Sequence, residues 1–147
     1  MTLQRFGSGG PYEKAIGYSR VVVSGDPAAP PATAWTAGCT ATIDGVVVGE
    51  GDPYAQALAA FGVGIAALER AGFALADVVQ TRMYVLDIAA NGAEVGRAHG
   101  ALFADVLPAA TMVGVAALID PRMLVEVELV AVSSGGTWVP SSASGAG

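Results

Sequence analysis

One cysteine, Cys39, and one histidine, His99, stand in the whole chain. A lone cysteine excludes an intrachain disulfide and gives no sign of an oxidising compartment. One Cys and one His, with no carboxylates gathered beside them, do not make a standard zinc site. Charge is scarce as well: 14% of the 147 residues are charged, and only seven are Lys or Arg. Those seven are scattered, so there is no basic stripe, and the net charge of −6 argues against nucleic acid and anionic membrane as partners. The opening MTLQRFGSGG lacks an apolar core, so no signal peptide is expected. The longest apolar stretches, 57–68 and 107–119, are too short to span a bilayer and are interrupted by Gly or Pro. A P-loop, a dinucleotide fingerprint, a Ser-centred nucleophile elbow and an internal repeat are all missing. The expectation is a cytoplasmic protein with no metal and no cofactor.

What is present is apolar. At 53% hydrophobic the chain has a thin polar coat for one domain of this size, which suggests that apolar surface is hidden in an oligomer. Residues 1–16 read as an entry segment, 17–133 as the domain, and 134–147 (SGGTWVPSSASGAG) as a low-complexity tail without fixed structure. Tyr18 to Ser24 is a Val-rich strand. Gly25 to Pro31 breaks it, because its prolines oppose regular structure. Thr33 to Thr42 is a second strand, with Gly38 as a bulge or close-approach point. Asp44-Gly45 is a hairpin turn before a short strand, Val46 to Gly49.

Asp52 caps a helix that Pro53 opens, with Leu58, Phe61, Ile65 and Leu68 as its apolar stripe and Ala71-Gly72 as its end. Gly62 and Gly64 each weaken it by about 1 kcal/mol, so close packing against a sheet is expected in compensation. Asp77 to Ile88 is a fourth strand. Asn91 begins a second helix, with Val95, Leu102, Phe103 and Val106 inward. Thr111 to Leu118 and Leu124 to Val132 are closing strands, joined as a hairpin through Asp120-Pro121-Arg122. The order β-β-β-α-β-α-β-β implies an α+β fold: one mixed sheet with both helices on one face.

Glu126 and Glu128 alternate with Val125, Val127 and Leu129, so both acids share one face of the last strand. A face open to water explains them; so does a general acid/base lining a cleft or subunit interface. Arg20 shares a strand face with Tyr18 and is a candidate anion contact. Arg82 has similar standing, and Arg122 belongs to an exposed turn. Cys39 is a candidate substrate contact or nucleophile, or a buried small hydrophobe. His99 reads as a packed or interface histidine, and Trp35 and Trp138 as packing and tail.

Over residues 17–132 the sequence resembles the RidA/YjgF family, known for enamine and imine deaminases. The resemblance rests on Gly17-Tyr18-Ser19, Ala37-Gly38-Cys39 and Asp52-Pro53-Tyr54-Ala55-Gln56-Ala57. It continues through Gly72, Asp77-Val78-Val79, Leu86-Asp87-Ile88, Pro108-Ala109-x-Thr111 and Leu124-Val125-Glu126-Val127-Glu128. It implies a chorismate-mutase-like homotrimer that takes a small-molecule substrate in clefts between subunits. It also implies Glu126 as the acid that orients or activates water, with Glu128 the alternative two residues on. Tyr18 is implied as the cleft tyrosine, with Tyr12 of Gly10-Pro11-Tyr12 the alternative, and Gly38 and Thr111 as sources of backbone contacts. The Arg that clamps a substrate carboxylate in the family falls on Ala110, and a helix Asn on Gly96, so an atypical substrate is implied. The activity expected is cofactor-free acid/base hydrolysis of an enamine, imine or similar small unsaturated amine. A tautomerase or cyclisation enzyme, or a non-catalytic trimeric binding protein, are the alternatives. Ribonuclease activity, reported for some relatives, fits poorly with the acidic charge.

Overall fold

The computed structural model describes residues 2–135. The elements are β1 (Leu3–Phe6), β2 (Val21–Asp26), β3 (Ala29–Thr36), β4 (Thr42–Ile43), β5 (Val46–Val47), α1 (Pro53–Arg70), β6 (Val78–Leu86), α2 (Ile88–Phe103), β7 (Ala109–Val115) and β8 (Val125–Ser133). A π-helical turn lies at Glu13–Gly17. One 6-stranded sheet has the order β1-β2-β3-β8-β6-β7, and β4-β5 form a separate ribbon. Among the described strands only β6 and β7 pair in parallel, and α2 is the crossover that a parallel pair requires.

Alternation decides which face is covered. On β8, Val125, Val127, Leu129 and Ala131 are buried, while Glu126 and Glu128 point to the other face. Both helices lie on the apolar face, as expected: Gly64 of α1 abuts Leu129, and Met112 of β7 reaches Gly92 and Gly96 of α2. Asp52 caps α1 by accepting from the Ala55 amide at 3.0 Å, with Pro53 in the first turn. The deepest line on α1 is Ala57, Ala60, Phe61, Gly64, Ala67 and Leu68, so small residues let the helix sit close to the sheet. Leu58 and Ile65 are only partly buried.

The two helix glycines therefore differ. A Cβ on Gly64 would collide with Leu129 Cδ1, whereas one on Gly62 would meet nothing within 4 Å. Gly64→Ala is expected to destabilise by about 1–3 kcal/mol through overpacking. Gly62→Ala should stabilise by up to about 1 kcal/mol through helix propensity. Urea midpoints that move in the same direction for both would contradict this account.

Several sequence expectations change. Asp120-Pro121-Arg122 turns the chain, but β7 and β8 are not a hairpin, because β6 lies between them. β8 carries the most regularly buried run and takes a central place; β7, largely exposed, takes the edge. The break at Gly25–Pro31 is shorter than expected, since Ala29, Pro30 and Pro31 belong to β3, with a cis Pro30-Pro31 bond. The two prolines precede Ala32, where pairing with β8 begins, so their missing N–H groups cost that ladder nothing. β5 does not join the main sheet. Its place as an extra strand goes to β1, from within the entry segment, paired with β2. α2 begins at Ile88 rather than Asn91, and the Asn91 amide instead donates to the Leu86 carbonyl at 2.7 Å. Trp138 and most of the tail at 134–147 lie outside the described residues.

Candidate functional site

The site forms where β3 leaves the sheet. After Thr36 the strand ends, and the chain returns to β8 at one bridge: Cys39 N donates to Val127 O at 2.7 Å and Val127 N to Cys39 O at 2.9 Å. Between these points lies Gly38, against the Glu126 side chain. A Cβ on Gly38 would overlap Glu126 Oε1 and lie 2.9 Å from its Cδ. Glycine at 38 thus gives the carboxylate a backbone seat, which is the close approach expected of it.

Glu126 faces an open cavity of about 1330 Å³, with Tyr12, Tyr18, Arg20 and Gly38 also in its lining. Burial raises the Glu126 pKa above the usual carboxylate value; the Glu128 charge adds to this and the Arg20 charge opposes it. Among the described residues, no hydrogen bond is made to the Glu126 carboxylate, which leaves it open to water or substrate.

Arg20 knits the surroundings together. Its Nη1 donates to the Gly38 carbonyl at 2.7 Å and approaches Cys39 Sγ at 3.7 Å, and its Nη2 donates to the Tyr18 hydroxyl at 3.1 Å. Its Nε is buried, makes no hydrogen bond, and lies 3.8 Å from Glu13 Oε1. Glu13 accepts from the Ser8 hydroxyl at 2.5 Å and from the Ser8 and Gly9 amides, which holds its pKa low. The segment carrying Tyr12 is thereby tied beside β2.

The structure brings Glu126, Tyr18, Arg20 and Gly38 together, and both tyrosines line the cavity. Tyr18 belongs to the Arg20 group, while Tyr12 is 58% exposed. Cys39 is not brought to the cavity. It is 1% exposed, and burial raises its thiol pKa. It should resist a thiol reagent in the folded protein and react fully once unfolded; fast labelling of native protein, followed by absorbance, would contradict that. Ala110 and Thr111 lie exposed on edge strand β7, with β6 between them and β8, so one chain does not bring them to Glu126. Gly96 faces Met112 on β7.

Glu128 is engaged elsewhere, accepting from the Tyr84 hydroxyl at 2.6 Å and Arg82 Nη1 at 3.2 Å. His99 packs on Phe61 and Phe103, with Nε2 2.8 Å from the Thr81 hydroxyl. Arg122 forks onto Asp120 at 3.0 and 2.8 Å, which lowers the Asp120 pKa to about 2. Among the described residues no group of His, Cys, Asp and Glu could hold a metal ion.

Sequence reasoning missed Gln56 and Glu13. Gln56 is fully buried; it donates to Arg122 O at 2.7 Å and accepts from Leu124 N at 2.8 Å, and so fixes the entry into β8. Its signal was an amide beside Ala57 on the inner face of α1. Glu13 had no such signal, since its partners sit in irregular chain.

Comparison with known proteins adds a family. A family model described as Endoribonuclease L-PSP matches residues 2–133. An uncharacterised protein of Streptomyces coelicolor is 38% identical over 129 residues, 88% of this chain and 91% of that protein. A Mycobacterium tuberculosis crystal structure, described as a member of the highly conserved YjgF/YER057c/UK114 family, is 39% identical with a TM-score of 0.75, covering 89% of this chain and 99% of that one. The YjgF gene product of E. coli is 26% identical with a TM-score of 0.68, covering 87% and 92%.

Proposed function

The chain belongs to the endoribonuclease L-PSP family, the YjgF group, and from that premise we propose that it is a cofactor-free acid/base enzyme hydrolysing an enamine, imine or related small unsaturated amine. The observation that carries this reading is Glu126: a partly buried carboxylate with a raised pKa, seated on Gly38 and facing an open cavity. An imine carbon is already electrophilic, so what it needs is water and a proton. Glu126 takes a proton from water as the oxygen bonds to carbon, then passes it to nitrogen. It then carries the hydroxyl proton of the carbinolamine to nitrogen as the C–N bond breaks, and a carbonyl and a free amine leave. A raised pKa suits a group that must both accept and return a proton near neutral pH.

In this reading the enzyme is a cytoplasmic homotrimer, and the substrate lies in a cleft between subunits. Ala110 and Thr111 would then reach the site from a neighbouring copy. The exposure of β7 supports that arrangement, because a neighbour could cover this edge.

Tautomerisation or cyclisation would use the same acid and the same cavity. A non-catalytic trimeric binding protein would explain Ala110 at the clamp position. The family description names an endoribonuclease, but the charges here do not favour RNA. Net charge is −6, and Arg82, Arg97 and Arg122 are paired with acids. The test is release of ammonia or amine from a panel of freshly generated imines and enamines, wild type against Glu126→Gln. Acceleration by the wild type that the variant loses supports hydrolysis. Equal rates from the two proteins would remove Glu126 from the mechanism.

A further inference from the structure

Arg20 is the cation whose charge acts on Glu126, so it is the natural candidate to hold an anionic substrate there. Its geometry speaks against that use. A two-pronged carboxylate clamp needs one edge of the guanidinium free. Here Nη1 donates to the Gly38 carbonyl, Nη2 donates to the Tyr18 hydroxyl, and Nε is buried 3.8 Å from Glu13 Oε1, so every nitrogen of the fork already faces a protein group. The side chain keeps only 14% of its exposure. Of the other arginines lining the cavity, Arg122 is forked onto Asp120, and Arg70 stands in the last turn of α1. The same lining holds the carboxylates of Asp44, Asp120 and Glu126. An anionic substrate at Glu126 would therefore meet a like charge, while the cation whose charge reaches that carboxylate is committed to protein groups.

We propose that Arg20 is a positioning residue that holds the Gly38 seat beneath Glu126, and that the site takes an imine or enamine without a carboxylate, neutral or protonated. The inference rests on the imine-hydrolase reading above. It also gives Glu126 a second task. A protonated imine carries positive charge next to the reacting carbon, and a carboxylate facing the cavity favours that charge. Water then adds to the carbon as Glu126 removes one of its protons. The carbinolamine collapses with that proton moved to nitrogen and its hydroxyl proton taken up by Glu126, leaving a carbonyl and an amine.

The experiment uses the full chain and two imines that differ in one group: the imine of phenylethylamine, made with an amine oxidase, and the imino acid of phenylalanine, made with an amino-acid oxidase. The wild type should favour the carboxylate-free imine in kcat/KM by about 100-fold or more, the scale of a like-charge juxtaposition. Arg20→Gln should lower kcat with KM little changed, and should move the acid limb of the pH profile upward, because the charge that lowers the Glu126 pKa is gone. Arg20→Lys keeps the charge but loses the fork, so its kcat should fall with the limb in place; a merely structural role would not separate the two variants. A wild type that prefers the imino acid, with a KM for it raised by Arg20→Gln or Arg70→Ala, overturns the inference and leaves the hydrolase reading intact. No acceleration of either imine, with Glu126→Gln equal to wild type, overturns both.

Discussion

Glu126→Gln is expected to lower kcat by about 10²–10⁴-fold, the usual contribution of a positioned general acid/base, and to make the folded protein more stable at neutral pH. The two effects share one cause. Burial is the main reason the Glu126 pKa is raised, with the Glu128 charge second and Arg20 opposing. A carboxyl whose pKa is higher in the folded state than in the unfolded chain, where it is about 4.3, binds its proton more tightly when folded. The stability it contributes is fully present below that unfolded value. It is lost as pH rises through the folded value, where the buried group ionises. Glutamine keeps the shape and never ionises. The variant should therefore be more stable than the wild type at pH 7 and gain little near pH 4. Thermal unfolding at both pH values, beside the imine assay, checks the pair. A variant that is fully active, or whose Tm advantage grows as pH falls, contradicts the role given to Glu126.

The parts of this architecture that were legible in the sequence are those fixed by neighbours along the chain. Asp52-Pro53 announces α1 because a cap and a first-turn proline act within one turn. Asp44-Gly45 announces the β4-β5 turn because both residues need positive φ, found here at 49° and 79°. The alternation of β8 places Glu126 opposite the core before any contact is known. The strand expected from Tyr18 begins only at Val21, so Tyr18 and Arg20 precede it, yet their side chains still meet at 3.1 Å. What pattern reasoning misplaces depends on partners far away in sequence. A turn at 120–122 cannot reveal that β6 separates β7 from β8. The bond from Arg20 to the Gly38 carbonyl, 18 positions on, is equally silent, and it turns a candidate anion clamp into a support. Cys39 beside a glycine looks like a cleft residue, yet its bridge to Val127 aims the thiol into the core.

Gly38→Ala carries the second large effect, and it tests the seat directly. Gly38 has no left-handed backbone angle, so alanine brings no φ strain there. Its cost would come from one neighbour: the added methyl takes the place of Glu126 Oε1 and lies 2.9 Å from Cδ and 3.3 Å from Cγ. Either the carboxylate swings away or the loop lifts, breaking the pairing of Cys39 with Val127. A misplacement of about 1 Å at a reacting group costs about 10²-fold, so kcat should fall on that scale while the chain still folds. Overpacking should cost about 1–3 kcal/mol of stability. Truncating the opposing side chain relieves that cost. Gly38→Ala combined with Glu126→Ala should be more stable than the sum of the two single changes, a coupling that residues in contact show and distant ones do not. Urea unfolding of the four proteins reads the coupling. Strict additivity, together with undiminished turnover by Gly38→Ala, would show that the carboxylate does not need the glycine beneath it.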